Sequence, residues 1–276
     1  MLLNEKNEHR LADIRCWLLD MDGTVTLGEE ALPGAAPFFA ALGPRDYIFL
    51  TNNSSHSKAH YLKRLERIGI AATPRQVLTS TDALALYLRK DKERPAVVYP
   101  VGTPGFMADL AAAGIRLTDK REQAIDYVVL GFDTTLVYEK LDISCDYIRR
   151  GVPYLATNPD KVCPLADGRV LPDCGALIAY METCTGVRPQ RIMGKPETTM
   201  IDMVMADRHY KRQELAMVGD RIYTDIASAR NAGILSVAVL SGEATLEDIQ
   251  AASVSPDLIY PDIGELARQL PAAASV

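Results

Sequence analysis

Short, almost unbroken apolar runs that stop abruptly at polar residues recur along the chain, with helix-patterned stretches between them. The runs are Ile14 with Cys16, Trp17, Leu18 and Leu19, then "DYIFL" at Asp46–Leu50, Val77–Thr79, Ala96–Val101, Tyr127–Leu130, Pro153–Ala156, Leu215–Val218 and Leu235–Leu240. A strand apolar at nearly every position is covered on both faces, which is the pattern of a parallel sheet. Strands alternating with helices therefore predict an α/β fold with mainly parallel sheets. Helices are expected over Ser57–Ile68, with Leu62, Leu65 and Ile68 on one face and Gly69 as the stop. Others are expected near Asp82–Leu88, Pro104–Ala113, Glu139–Arg149 and Thr224–Ala232, the last ending at Gly233. The polar, proline-ended stretch "DKERP" at 91–95 reads as a domain boundary.

The 276 residues are 48% hydrophobic, enough for one large or two ordinary cores. A net charge of −6 argues against nucleic acid as an obligatory partner, since neutralising a phosphate backbone needs a basic surface. A small phosphorylated ligand needs only a local positive group and is not excluded. No apolar run reaches the ~18 residues of a spanning helix, and "MLLNEKNEHRLADIR" has no signal-peptide core, so no membrane partner is expected. Five scattered cysteines without a C-x-x-C pair fit a reduced, cytoplasmic protein better than a disulfide frame or zinc site.

The chemistry-bearing residues sit where the apolar runs stop. "CWLLDMDGT" places Asp20 and Asp22 at the carboxyl end of a buried strand, with Gly23 allowing a sharp turn. Two carboxylates so close repel each other unless a cation lies between them, and Asp oxygens are hard ligands suited to Mg²⁺. Without a cation, the same residues would simply be an Asp-rich turn. Thr51, Asn52 and Asn53 follow the second run, and Asp220 follows "AMVG". Lys195, in "GKPE", is expected just before a helix with Pro in its first turn. Parallel strands of one sheet bring such ends into one crevice. Carboxylates for a cation, hydroxyl and amide donors and one ammonium suit a phosphoryl group bound with Mg²⁺. Other phosphate motifs fail: Pro189 stands where a Walker A loop needs its first glycine, and no G-x-G-x-x-G follows a strand. H-E-x-x-H and G-x-S-x-G are also absent.

Taken together, "LLDMDGTV", "FLTNNSS", "GKPE" and "MVGDRIYTDIASARNAG" resemble, in order, the motifs of haloacid dehalogenase superfamily phosphatases. The resemblance is to subfamily IIA, the branch of NagD-type, para-nitrophenyl, phosphoglycolate and pyridoxal phosphatases. "VVLGFDTTLVYEKL" and "LATNPDKVCPLADGRVLPDCGAL" are similar to that branch's cap. The resemblance implies a Rossmann-like core over residues 1–80 and 187–276, and an inserted α/β cap of the C2 type over 81–186. It also allows a homodimer through the cap.

The implied reaction is hydrolysis of a phosphomonoester through an aspartyl-phosphate. Asp20 is the nucleophile. Asp22 is first acid, then base, in a site expected to favour its protonated form. Lys195 offsets charge. The resemblance implies that Mg²⁺ takes the Asp20 and Asp220 carboxylates and the Asp22 carbonyl, and that Thr51, Asn52 and the Asn53 backbone hold the phosphoryl oxygens. Asp225 orients a metal-bound water or Lys195, or is only a helix-start carboxylate. Thr24 is expected to hydrogen-bond Asp20. In the cap, Cys163 is a candidate substrate contact or a buried filler, with Asp167 and the Asp173-Cys174-Gly175 turn beside it. The "LPDCG" turn departs from the Pro-Gly-Thr-Gly form of several relatives, so the substrate stays open among nucleoside monophosphates, phosphoglycolate, sugar phosphates and pyridoxal phosphate. A phosphotransferase or mutase using the same intermediate is the alternative, followed by a non-catalytic phosphoryl-binding regulator. A dehalogenase is disfavoured by the second aspartate, Asp22.

Overall fold

The apolar runs become strands and their polar stops become the loops that matter. A computed structural model describes residues 2–91, 93–121, 123–165 and 168–271, so that Lys92 within "DKERP" lies outside the described residues. The strands are β1 (Cys16–Leu19), β2 (Thr26–Leu27), β3 (Glu30–Ala31), β4 (Asp46–Thr51), β5 (Val77–Thr79), β6 (Val97–Val101), β7 (Arg116–Leu117), β8 (Tyr127–Leu130), β9 (Tyr154–Ala156), β10 (Val162–Pro164), β11 (Val170–Pro172), β12 (Arg191–Ile192), β13 (Leu215–Gly219), β14 (Leu235–Val239) and β15 (Leu258–Tyr260). The helices are α1 (Leu2–Asn7), α2 (Ala35–Leu42), α3 (Lys58–Arg67), α4 (Ser80–Asp91), α5 (Pro104–Ala112), α6 (Tyr138–Arg149), α7 (Cys174–Thr185), α8 (Thr199–Arg208), α9 (Ala227–Ala232), α10 (Leu246–Ala251) and α11 (Ile263–Gln269). No helix among the described residues is long and apolar enough to cross a membrane.

The chain divides into two compact units, one of Met1–Leu50, Leu62–Val77 and Lys195–Val276, the other of Thr51–Tyr61 and Leu78–Gly194. The first unit is built on a six-stranded sheet of order β15-β14-β13-β1-β4-β5. β1 runs parallel to both neighbours, Leu19 pairing with Val218 of β13 and with Phe49 of β4. All four β1 residues are buried, and Trp17 meets Phe38 of α2 edge-on with ring centroids 5.7 Å apart. From β1 the chain moves outward through β4 and β5, then returns to the other side of β1 for β13, β14 and β15. The order therefore reverses between β1 and β13. In open parallel sheets the crevice beyond the carboxyl strand ends at such a reversal is where ligands bind.

The second unit has its own parallel sheet of order β12-β9-β8-β6-β7, and a separate antiparallel hairpin of β10 and β11. Tyr99, Val128, Leu130, Tyr147, Tyr154 and Met181 fill its core. This sheet reverses between β6 and β8, and the crevice there holds the unit's own chain. The Phe132 N–H donates to Ser54 Oγ at 2.9 Å, and Thr103 Oγ1 donates to the Ser55 carbonyl at 2.7 Å.

Three local expectations need correction. Pro196 does not sit in the first turn of a helix; α8 begins at Thr199, because residues 195–198 form a turn that sends the Lys195 side chain inward. The expected helix over Thr224–Ala232 is a π-helical turn, Ile222–Ile226, followed by α9. Its wide turn, with Ile226 N–H donating to the Arg221 carbonyl, aims Asp225 into the interior. The buried face of α3 is Tyr61, Arg64 and Leu65, while Leu62 and Ile68 are only half-buried.

A Leu at the centre of a sheet covered on both faces has no room to relax around a cavity. Leu18→Ala is expected to lower unfolding stability by about 2–5 kcal/mol in urea titrations followed by circular dichroism. A loss within error of zero would mean that β1 is not a packed central strand.

Candidate active site

Lys195 is the centre of the polar interior of the first unit. It is 2% exposed, and its ammonium meets Asp20 Oδ1 at 2.5 Å, Asp225 Oδ1 at 2.6 Å and the Leu50 carbonyl at 2.9 Å. An ammonium only donates, and these acceptors hold its charge in one place. Burial alone would pull its pKa down, but the Asp20 and Asp225 carboxylates outweigh burial and hold it above its ordinary value.

Asp20 stands one residue beyond β1 and Asp220 one residue beyond β13, the two strands that flank the reversal of sheet order. Asp20, Asp220 and Asp225 bring carboxylate oxygens within 4.8 Å of one another. Asp220 accepts from the Glu243 N–H at 2.8 Å and from Thr24 Oγ1 at 3.4 Å. The expected Thr24–Asp20 bond is thus replaced by one to Asp220, because the turn after Gly23 carries the Thr24 hydroxyl toward β13's end. Glycines make room for these carboxylates. A Cβ on Gly23 or Gly242 would collide with the Asp220 carboxylate, and one on Gly219 with that of Asp225. Gly23 also has φ +93°, a backbone conformation that an L side chain strains to adopt.

The electrostatics of this cluster are unbalanced. Burial pushes the Asp20 carboxyl well above the usual range, Lys195 pulls it back, and Asp225 and Asp220 push it up again. Asp220 is pushed up to about 6 by burial and then by Asp225. With all three carboxylates ionised, one ammonium leaves two negative charges on a largely buried set of hard oxygen donors, which fits a divalent cation such as Mg²⁺. Asp20 and Asp220 could hold it. Asp225 is less available, since its Oδ1 faces Lys195 and its Oδ2 accepts from the Arg221 N–H at 3.1 Å. Asp225 therefore combines both readings made of it, fixing Lys195 and closing the first turn of its own helix.

Asp22 lies on the turn that follows, with its side chain 37% exposed. Its Oδ1 is 2.6 Å from Arg64 Nη2 and accepts from Thr26 Oγ1 at 3.3 Å. The apolar spacing of α3 gives no sign of Arg64. The signal that could have found it is spacing, since residue 64 falls three after Tyr61 and beside Leu65 on the same face. A charged residue on a buried face needs a partner of opposite charge.

The remaining predicted residues belong to the second unit. Thr51 ends β4, and its Oγ1 accepts from the Asn53 N–H at 3.1 Å. Asn52 donates to Asp160 Oδ2 at 2.8 Å and its carbonyl accepts from Ser80 Oγ at 2.7 Å. Asn53 Oδ1 accepts from Ser55 N–H at 3.0 Å and from Ser55 Oγ at 2.6 Å. Cys163 lies half-buried on β10, opposite Leu171. Asp173 caps α7 by accepting from the Cys174 N–H. Cys174 is fully buried with its thiol pushed up to about 12 by burial, and a Cβ on Gly175 would strike the Pro159 carbonyl. Asp167 lies outside the described residues.

Known proteins resemble this chain in sequence and in fold. Residues 17–116 match the family described as haloacid dehalogenase-like hydrolase, and residues 192–266 match a second description, HAD-hydrolase-like. The chain is 36% identical over 251 residues to an acid sugar phosphatase of Staphylococcus epidermidis, covering 90% of this chain and 95% of that one. Among solved structures, a 4-nitrophenylphosphatase from Thermotoga maritima is 37% identical with a TM-score of 0.89, covering 95% of this chain and all of that one. A glycerol phosphate phosphatase from Mycobacterium tuberculosis, crystallised in complex with magnesium, is 32% identical with a TM-score of 0.86, covering 95% of this chain and 77% of that one. With matching family models, a parallel-sheet Rossmann-like core and relatives above 30% identity over nearly the whole chain, the chain belongs to the haloacid dehalogenase-like hydrolases, in the NagD-like subfamily IIA.

Proposed function

We propose that this phosphoric monoester hydrolase cleaves small phosphorylated metabolites through an aspartyl-phosphate formed on Asp20. The observation that carries the reading is the buried cluster of Asp20, Asp220, Asp225 and Lys195 at the reversal of sheet order. In the first step an Asp20 oxygen attacks phosphorus in line and the bond from phosphorus to the leaving oxygen breaks. Asp22 gives its proton to that oxygen, so an alcohol departs. In the second step water attacks the same phosphorus, its proton passes to Asp22, and the bond from phosphorus to Asp20 breaks. The products are inorganic phosphate and the restored carboxyl pair.

Lys195 stays charged throughout and draws electron density from Asp20 and the phosphoryl oxygens. Thr51 Oγ1, the Asn52 side chain and the Asn53 backbone are assigned to the phosphoryl oxygens. Mg²⁺, held by the Asp20 and Asp220 carboxylates and the Asp22 carbonyl, would supply positive charge to those oxygens. Residues 81–186 serve as the cap that shields the reaction and reads the leaving group, with Cys163 as a contact there. The relatives' names favour sugar and glycerol phosphates as first candidates, ahead of nucleoside monophosphates, phosphoglycolate and pyridoxal phosphate. Five cysteines that form no disulfide suit a reducing, cytoplasmic setting.

Two outcomes follow. Asp20→Asn is expected to lower turnover by about 10³-fold or more, and Asp22→Asn by about 10²–10⁴-fold on alkyl phosphates. Released phosphate should equal released alcohol even when a second alcohol is added; phosphate appearing on that alcohol would make the protein a phosphotransferase.

The cation is tested by stability. The Asp220 carboxyl ionises near its ordinary 3.8 in the unfolded chain and near about 6 in the fold. Its contribution is present below the lower value and is lost as pH rises through the upper one. A divalent cation offsets that loss, so Mg²⁺ added to chelator-treated protein should raise the thermal midpoint more at about pH 7 than at about pH 4.5. An equal rise at both would remove Asp220 from the site.

A further inference from the structure

The reaction asks Asp22 to hand over a proton and take one back, yet nothing in that scheme says what aims its carboxyl. Asp22 sits on a turn with its side chain partly in solvent, where a carboxylate is free to rotate. Arg64 is 5% exposed, and its Nη2 lies 2.6 Å from both Asp22 Oδ1 and Thr26 Oγ1. The single Thr26 hydroxyl proton is shared between Asp22 Oδ1 and the Met21 carbonyl, which lies 3.0 Å away, and the Thr26 backbone N–H donates to the same carbonyl at 2.8 Å. The guanidinium is thereby tied to the backbone of the turn that carries Asp22. An ion pair with one partner buried is also screened far less than a surface pair.

We propose that Arg64 is a positioning residue for proton transfer by Asp22, an inference that rests on the acid–base assignment made above. Arg64 and Thr26 occupy Oδ1, so Oδ2 is the oxygen that exchanges the proton. The pairing fixes the rotation of the carboxyl group about its own bond and leaves Oδ2 to meet the leaving oxygen. When Oδ2 gives its proton to the leaving oxygen, the new negative charge is shared with Oδ1, where the guanidinium already lies. The buried position of Arg64 on α3 makes the helix a fixed mount for the acid–base group. Lysine at this position would keep the charge but not the planar fork that sets the angle.

The test compares two substrates on each enzyme preparation. Para-nitrophenolate leaves without a proton, whereas the alkoxide of glycerol phosphate needs one. Arg64→Met is expected to lower kcat on glycerol phosphate at least about ten-fold more than on para-nitrophenyl phosphate, with KM for either changing much less. Arg64→Lys should fall between Arg64→Met and the parent. The ratio of the two rates does not depend on how much protein is folded, so partial misfolding of either variant leaves the reading intact. Should Arg64→Met give no soluble protein, Arg64→Lys carries the same ratio. An equal loss on both substrates would make Arg64 purely structural and overturn the inference. Asp22→Asn serves as the reference. If it discriminates between the substrates and the Arg64 variants do not, the inference fails alone. If Asp22→Asn does not discriminate either, the acid–base assignment fails with it.

Discussion

The arrangement depends on one ammonium. Lys195 ties the end of β1, the end of β4 and the π-helical turn through Asp20, the Leu50 carbonyl and Asp225. A buried lysine without partners would lose its charge, and three buried carboxylates without a cation would not all ionise. Each group makes the others tolerable, but the balance does not close, because two negative charges remain. That residue of charge, on hard oxygen donors, suits a divalent cation. The fold supplies the geometry cheaply: adjacent parallel strands whose order reverses between β1 and β13 deliver Asp20 and Asp220 to one crevice.

The backbone around the cluster is shaped to match. Glycines at 23, 219 and 242 stand where any side chain would collide with Asp220 or Asp225. Ser241 Oγ donates to the Gly23 carbonyl at 2.7 Å, joining the loop after β14 to the loop after β1. The carboxylates are thus packed rather than merely adjacent, and small movements of these loops would change their charge balance. In the second unit, the crevice of the sheet is filled by Ser54 and Ser55, and Asn52 is held by Asp160. The segment after β4 is therefore fixed by the second unit's own hydrogen bonds.

Much of this was legible in the sequence, and the reason is periodicity. Short apolar runs, too brief for a buried helix and bounded by polar residues, read as doubly covered strands, so β1, β4, β8 and β13 could be placed within a residue or two, and the polar residues at their ends followed. Asp20, Asp220 and Lys195 were therefore identifiable before any coordinates. What escaped were features set by side chains reaching across elements. Arg64 reads as one more charge on a surface helix until Asp22 and Thr26 are seen beside it. Thr24 reads as a partner for Asp20 until the turn places it on Asp220. The π-helical turn at 222–226 has an ordinary helical sequence, and only Asp225 bonding to Lys195 explains its inward aim. Pro196 looks like a helix start, but the chain there turns to bury a lysine.

The central claim is that the Asp20 carboxylate becomes covalently phosphorylated in every cycle. The most direct measurement is rapid acid quenching of the enzyme with substrate labelled in its phosphoryl group, followed by mapping of the labelled peptide. The account predicts label on the peptide that contains Asp20, appearing within the first turnover and decaying at the rate of phosphate release. Full turnover with no label on protein at any quench time, or label on a peptide that lacks Asp20, would contradict it.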